Sequence, residues 1–325
     1  MESLIAALPK AELHVHLEGS LSPALLFALA RKHGHRGVPS SVEAVERWYE
    51  FRDFPHFIEI YRTAGEVLVD AEDFRLLAED VIGALAAQNV RYAELSVSLS
   101  DHLVRGIAPE VVFEGIEAGR AAVPGIEVRW IPDFAGDRGA SLGERTLDAV
   151  LAHGPASVVG FGVGGIEVDR EPFAAVFGRA RAAGLHSVPH AGENQGPERV
   201  WSAIRALGAE RIGHGIDSLR DPALVSYLRD RRLPLDVSPM SNVRTRAVRS
   251  LSAHPLPAML EAGLLVTLNS DDPTMFGTTL TDEYRAAAAL GVDVVTLARN
   301  GFEASFADDA LKAAALAEID AVAGS

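Results

Sequence analysis

Eight short apolar runs constrain this chain more than any other feature. They fall at 11–17, 90–97, 127–134, 157–163, 185–190, 211–216, 233–238 and 264–270, and each reads as a buried strand. Between them the sequence takes a helical period, as over 73–88, 110–122, 170–183, 200–207 and 222–230. A parallel strand buried on both faces needs apolar residues at nearly every position, and its connection to the next strand is usually a helix. Gly125, Gly184 and Gly263 follow helical stretches and precede strands, where a C-terminal cap needs positive φ. The pattern predicts an α/β fold, a closed parallel (β/α)8 TIM barrel.

The first interval departs from a minimal barrel. From about 20 to 88 there is room for several helices, which predicts a helical insertion after the first strand. Trp48, Tyr49, Phe51, Phe54, Phe57 and Tyr61 cluster there although aromatics are only 6% of the chain. Packing among extra helices and a lid over the barrel mouth both explain that cluster. Further helices are expected over about 292–325. No repeat, low-complexity tract or Pro/Ser-rich linker divides the sequence, so 1–325 reads as a single barrel domain.

Charge and cysteine content narrow the function. Thirty Lys+Arg against 45 Asp+Glu give a net charge of −15. A nucleic-acid surface needs clustered cations to displace phosphate counterions, so that class is disfavoured. The absence of cysteine excludes disulfide scaffolds, thiol nucleophiles and every Cys-ligated zinc site, including the H-x-E…P-C-x-x-C deaminases. No signal peptide is evident and no run of ~18 apolar residues could span a membrane, so a cytoplasmic enzyme of small molecules is expected. An oligomer is compatible with the sequence.

Four strand ends carry chemistry. His14-Val15-His16 places two imidazoles on one face of a strand, because residues two apart project together. Such a pair is either the start of a metal site or an accident of packing. His190 and Glu193 follow strand five, and His214 lies between two glycines on strand six. Asp271 and Asp272 follow strand eight. Adjacent carboxylates after an apolar strand are costly unless paired, protonated or coordinated, although Asp-Asp-Pro also suits a surface turn. Barrel active sites lie at the C-terminal ends of strands, where all four groups fall. His14, His16, His190 and Asp271 together offer nitrogen and oxygen ligands suited to Zn²⁺, which would lower the pKa of water toward ~7. Strand four holds no Lys that could bridge two metals, so one ion per chain is expected. His33, His35, His56, His102, His153, His186 and His254 lie outside these motifs and read as surface or core histidines.

The segment Pro9-Lys10-Ala11-Glu12-Leu13-His14-Val15-His16-Leu17-Glu18-Gly19-Ser20 resembles the adenosine/adenine deaminase family. So do His190-Ala191-Gly192-Glu193, Arg211-Ile212-Gly213-His214-Gly215-Ile216, Ser238-Pro239-Met240-Ser241-Asn242 and Ser270-Asp271-Asp272-Pro273. The matches run in order from residue 9 to about 285. The resemblance implies zinc-dependent hydrolytic deamination of a 6-aminopurine at C6, with release of ammonia. It implies that His14, His16, His190 and Asp271 hold zinc and that Glu193 protonates N1. His214 would orient and deprotonate the attacking water and steady the oxyanion. Asp272 would bond to N7, and the Gly165 N–H to N3, although the family often has Gly-Asp-Glu where this chain has Gly165-Ile166-Glu167.

Glu18 bears on the substrate. Typical adenosine deaminases carry an Asp there that contacts the ribose, whereas Glu18-Gly19-Ser20 is similar to the adenine and aminodeoxyfutalosine deaminase branches. The resemblance therefore implies aminodeoxyfutalosine, a nucleoside of menaquinone biosynthesis that carries a benzoate, ahead of adenosine and adenine. Arg52, Arg62, Arg244 and Arg246 are candidates for a benzoate-binding cation, each with solvated surface as the alternative. Two other readings are a barrel hydrolase of an ester or amide, which a binuclear metal would favour, and a non-catalytic homologue. The retained proton donor Glu193 speaks against the second.

Overall fold

A computed structural model describes residues 1–324. Eight parallel strands follow one another in chain order: β1 (Lys10–His16), β2 (Val90–Val97), β3 (Glu127–Ala135), β4 (Gly160–Gly164), β5 (His186–Ala191), β6 (Ile212–His214), β7 (Leu235–Val237) and β8 (Val266–Leu268). Each is joined to the next through helix-bearing segments, the (β/α)8 arrangement that the apolar runs predict. The seam between β8 and β1 closes just past the regular strands. There the His16 N–H donates to the Asp271 carbonyl at 2.7 Å and the Asp271 N–H donates to that of His14 at 2.9 Å. The Leu13 N–H adds a bond to Asn269 Oδ1 at 2.8 Å. Barrel closure thus uses the backbone of a residue that also faces the site.

Alternation sorts inside from outside. In β4, Phe161 packs against Phe134 and Phe177. The glycines between them lie where side chains crowd. A Cβ at Gly162 would stand 3.1 Å from that of Asp133, and one at Gly164 would stand 3.5 Å from the His190 ring. The glycine-rich run therefore makes room for interior side chains. Beneath the strand ends, fully buried Arg211 ties the barrel together. Its Nε donates to Asp236 Oδ2 at 2.6 Å, and its Nη2 donates to Glu94. Tyr92 and the Phe306 N–H donate to the same Glu94 oxygen at 2.9 and 2.7 Å, and Thr267 donates to Asp236 at 2.7 Å.

Four helices separate β1 from β2: Pro23–His33, Val42–Trp48, Phe54–Gly65 and Ala71–Ala86. Ser22, Ser41, Asp53 and Asp70 cap their N-termini with side-chain oxygens. The Asp70 cap starts the last helix two residues before the 73–88 expected from periodicity. Val294–Ala304 and Asp309–Ala323 supply the expected C-terminal helices, and residue 325 of that expectation lies outside the described residues. Ladder pairing in β6, β7 and β8 is shorter than the apolar runs, and the backbone turns to positive φ at His214, the last residue of β6, and at Asp271, just past β8. Helix 170–183 begins as a tight turn over Glu171–Phe173, and 200–207 is the end of a helix starting at Pro197. Gly125, Gly184 and Gly263 all adopt positive φ, as their cap positions require. Among the described residues no helix is long and apolar enough to cross a membrane.

Replacing Arg211 by Met should cost about 3–5 kcal/mol of stability, because it strands two buried carboxylates. Urea denaturation checks this, and a loss below ~1 kcal/mol would mean that the network holds nothing together.

Candidate active site

The C-terminal strand ends converge. His14 and His16 project from β1, His190 from β5 and His214 from β6, and Asp271 follows β8. His214 and Asp271 hold φ of +65° and +64°, and they are two of only five non-glycine residues at positive φ among those described. Strain of this kind persists only where surrounding packing over-determines it. Glycine supplies the clearance. A Cβ at Gly213 would stand 2.7 Å from His14 Cε1 and 3.2 Å from His190 Cγ, and one at Gly19 would collide with the Asp272 carboxylate. The His-x-His segment and the Asp-Asp pair therefore fit together through a residue without a side chain.

The donor atoms crowd one point. His16 Nε2 lies 3.1 Å from His190 Nε2. Asp271 Oδ1 lies 3.3 Å from His14 Nε2 and 3.4 Å from His16 Nε2. Ser241 donates to the other Asp271 oxygen at 2.6 Å, which leaves Oδ1 for the cluster. His190 Nδ1 donates to the Val163 carbonyl at 3.1 Å, so its Nε2 presents a lone pair. Burial drives the His14 ring down to about 4, lowers His16, and holds His190 well below its usual range. Burial alone would raise Asp271, but the His14, His214 and His16 rings outweigh it and hold this carboxyl well below its ordinary value. His14 Nε2 has no hydrogen-bond partner. Neutral imidazole lone pairs facing one another around a carboxylate suit a divalent cation and little else. His14, His190, His214 and Asp271 form one grouping within ligating reach, and His16 groups with Asp271 and Asp272.

Two further carboxyls border the cluster. Burial raises Glu193, and burial followed by the neighbouring Asp271 raises Asp272 well above its usual range. Both shifts run toward the neutral, proton-bearing form. Asp272 Oδ1 is buried without a partner, whereas Glu193 Oε1 accepts from Thr245 Oγ1 at 2.9 Å and from Asn242 Nδ2 at 3.3 Å. The backbone around Glu193 is clamped by Glu167, which accepts from the N–H groups of Gly192 and Asn194. These groups line a cavity of about 800 Å³, counted with its open mouth. Phe54, Phe57, Ile58, Tyr61 and Arg62, on one face of the helix Phe54–Gly65, form its outer wall. Three of the insertion's clustered aromatics, Phe54, Phe57 and Tyr61, therefore border the cavity. Gly165, at φ +75°, lines the same cavity.

The sequence profile of the family described as adenosine deaminase matches residues 9–322. The chain belongs to the adenosine deaminase family. It is 46% identical to aminodeoxyfutalosine deaminase of Streptomyces avermitilis, over 98% of this chain and 92% of that one. The crystal structure of adenine deaminase from Arthrobacter aurescens superposes with a TM-score of 0.94 at 36% identity, covering 98% of this chain and all of that one. An amidohydrolase from Burkholderia ambifaria, solved with bound Zn, gives a TM-score of 0.90 at 26% identity over 99% of this chain and 93% of its own. The family is metal-dependent, which accords with the donor cluster.

Within this deaminase fold the structure departs from one expectation. Glu18 does not line the catalytic cavity. Its carboxylate turns aside and accepts from His102 Nε2 at 2.8 Å, from the Ser98 N–H at 3.1 Å and from Tyr61 OH at 3.3 Å. Burial would raise this carboxyl, but the His102 bond and charge outweigh it and keep Glu18 lowered. Glu18 thus acts on the cavity through Tyr61 and Ser98, which do line it. His102, placed by the sequence among structural histidines, is the buried partner that makes this possible. Of the four candidate arginines only Arg62 lines the cavity, where it pairs with Asp137 Oδ2 at 3.1 Å. Arg244 lies over the Phe51 ring at 5.2 Å, and Arg52 and Arg246 are exposed. Asp133 escaped the sequence reading. It lies near the C-terminal end of β3, lines the cavity and sits 3.7 Å from His16 Nδ1. The rule that flagged the other strand ends would have found it.

Gly213→Ala should bind divalent metal at least ~10-fold more weakly, because the added methyl displaces the His14 and His190 rings. Elemental analysis against the unsubstituted protein, with circular dichroism confirming the fold, checks this. Undiminished metal content would show that the glycine is not there for clearance.

Proposed function

We propose that this protein is a zinc-dependent hydrolase of aminodeoxyfutalosine, with one Zn²⁺ held by His14, His16, His190 and Asp271 and the whole chain acting as one barrel domain. The chain is an aminohydrolase acting on the amino group of a purine. The zinc and the nucleoside are the proposal. A Zn²⁺ bound here would supply Lewis acidity and a water of lowered pKa.

The observation that carries the reading is a pair of buried carboxyls, Glu193 and Asp272, both raised by burial, beside the Asp271 carboxylate and its imidazoles. Ring nitrogens N1 and N7 of a 6-aminopurine are both hydrogen-bond acceptors. A protonated Glu193 can donate to N1 and a protonated Asp272 to N7, while the Gly165 N–H meets N3. With the ring so held, C6 and its amino group face the histidines. Water adds at C6 as Glu193 passes its proton to N1, which neutralises the charge that addition would otherwise leave on the ring. His214 holds the incoming oxygen. The Asp271 carboxylate takes the proton that the attacking water gives up and hands it to the amino group, which leaves as ammonia, while the new hydroxyl returns a proton to Glu193 as it becomes the 6-oxo group, so one water is consumed for each ammonia released.

Support for the nucleoside comes from two sides. The cavity lining runs from the cluster out to Arg62, which gives a substituent on the purine a cation to meet. The Streptomyces relative also bears that substrate's name. Adenine is an alternative, favoured by the likeness to the Arthrobacter adenine deaminase. Arg62 is the cation placed to meet a substrate carboxylate, in exchange for its present contact with Asp137.

A kinetic panel separates these readings. The expected order of kcat/KM is aminodeoxyfutalosine, then adenosine, then adenine, with Arg62→Ala penalising only the first. A preference for adenosine or adenine of ~10-fold or more, about 1.4 kcal/mol in transition-state binding, overturns the substrate assignment.

A further inference from the structure

The segment Ser238-Pro239-Met240-Ser241-Asn242 matches the family, yet the chemistry above gives its last residue no part. His254 lies outside every motif. Both are buried, and a chain of directed hydrogen bonds joins them to Glu193 and His214. The Leu256 backbone N–H donates to His254 Nδ1 at 3.1 Å. A backbone N–H can only donate, so His254 Nδ1 must accept, and its proton sits on Nε2. That Nε2 faces Asn242 Oδ1 at 3.1 Å. Burial keeps the ring neutral, with its pKa down to about 4, so a single tautomer persists. The amide orientation of Asn242 follows, because its oxygen must face His254 and its NH₂ must face the other way.

The NH₂ group has two protons and meets two acceptors. One is Glu193 Oε1 at 3.3 Å, and the other is His214 Nδ1 at 3.3 Å. Glu193 Oε1 also accepts from Thr245, so a neutral Glu193 carries its proton on Oε2. That oxygen lies 3.9 Å from His214 Nε2. His214 Nδ1, being an acceptor, forces the ring proton onto Nε2, the nitrogen 4.0 Å from Asp271 Oδ2.

We propose that His254 is a positioning residue which, through Asn242, fixes the tautomer of His214 and the proton-bearing oxygen of Glu193. The proposal deepens the deaminase reading and rests on it. It has two consequences. His214 stands beside the reacting atoms as an N–H donor, so it holds and stabilises the attacking oxygen and has no lone pair to offer a metal or a proton. The ligand set is thereby reduced to His14, His16, His190 and Asp271, although His214 lies within ligating reach. The water proton then goes to the Asp271 carboxylate, whose Oδ1 faces the cluster, and the orientation of Glu193 reserves Oε2 for delivery to N1.

The test has a readout that a merely structural histidine would not move. In zinc-loaded protein labelled with ¹⁵N-histidine, imidazole ¹⁵N–¹H correlation spectra report which ring nitrogen is protonated, and loss of one signal set in His214→Ala assigns that residue. His214 should be the Nε2–H tautomer in the unsubstituted protein and a mixture in His254→Leu. His254→Leu should also lower kcat by ~10- to 100-fold with KM within ~3-fold and zinc content unchanged, a range set by what general acid–base placement contributes. His254→Gln, which keeps a donor toward Asn242, should recover most of that loss. An Nδ1–H tautomer for His214 in the unsubstituted protein overturns the proposal. So does kcat in His254→Leu within twofold of normal, or equal losses in the Leu and Gln variants. The tautomer is read without substrate, so a wrong choice of purine leaves this result standing.

Discussion

Desolvation is the constraint on which the rest of this structure depends. Four imidazoles and three carboxyls are gathered at one end of a barrel, and all are buried or nearly so. Each would be costly there alone. The arrangement bears that cost by pushing the His14, His16 and His190 rings toward the neutral form, by holding Asp271 against them, and by shifting Glu193 and Asp272 toward the form that carries a proton. Those are also the protonation states that hydrolytic deamination needs. One physical circumstance thus prepares both the metal site and the proton donors.

The layers around the cluster serve to hold it in that state. The helix Pro239–Arg244 and the residue after it supply Ser241 to Asp271, Asn242 to Glu193 and His214, and Thr245 to Glu193. Glu167 clamps the turn that carries Glu193. Arg170 donates to the His190 carbonyl at 2.6 Å from the next shell. Deeper still, Arg211 and its two carboxylates make the barrel floor rigid. Side chains held by several partners lose little freedom when substrate arrives, which is how a site keeps its geometry within tenths of an ångström.

Much of this was legible in the sequence, for reasons that can be named. Parallel strands announce themselves as continuous apolar runs, so all eight were located, and the strand-end rule then selected His14, His16, His190, His214 and Asp271. The rule was applied only where a histidine or a paired carboxylate stood out, and the lone Asp133 went unnoticed. What the sequence hid were contacts made across the fold. Glu18 sits in the right motif, yet His102, 84 residues on, turns it away from the cavity. His254 carries no local signal because its importance lies in what Asn242 does with the bond it receives. Strand lengths were overestimated where burial continues past the ladder, at the positive-φ residues that aim side chains into the site.

The central claim is that a buried, proton-bearing Glu193 works beside a metal held by other residues. Its most direct test is steady-state turnover of Glu193→Gln together with metal analysis. Gln preserves size and hydrogen bonding but cannot deliver a proton. The account predicts full metal content, an unchanged fold and a loss in kcat of ~10²–10⁴-fold. Near-normal kcat on a substrate the unsubstituted protein turns over well would contradict it.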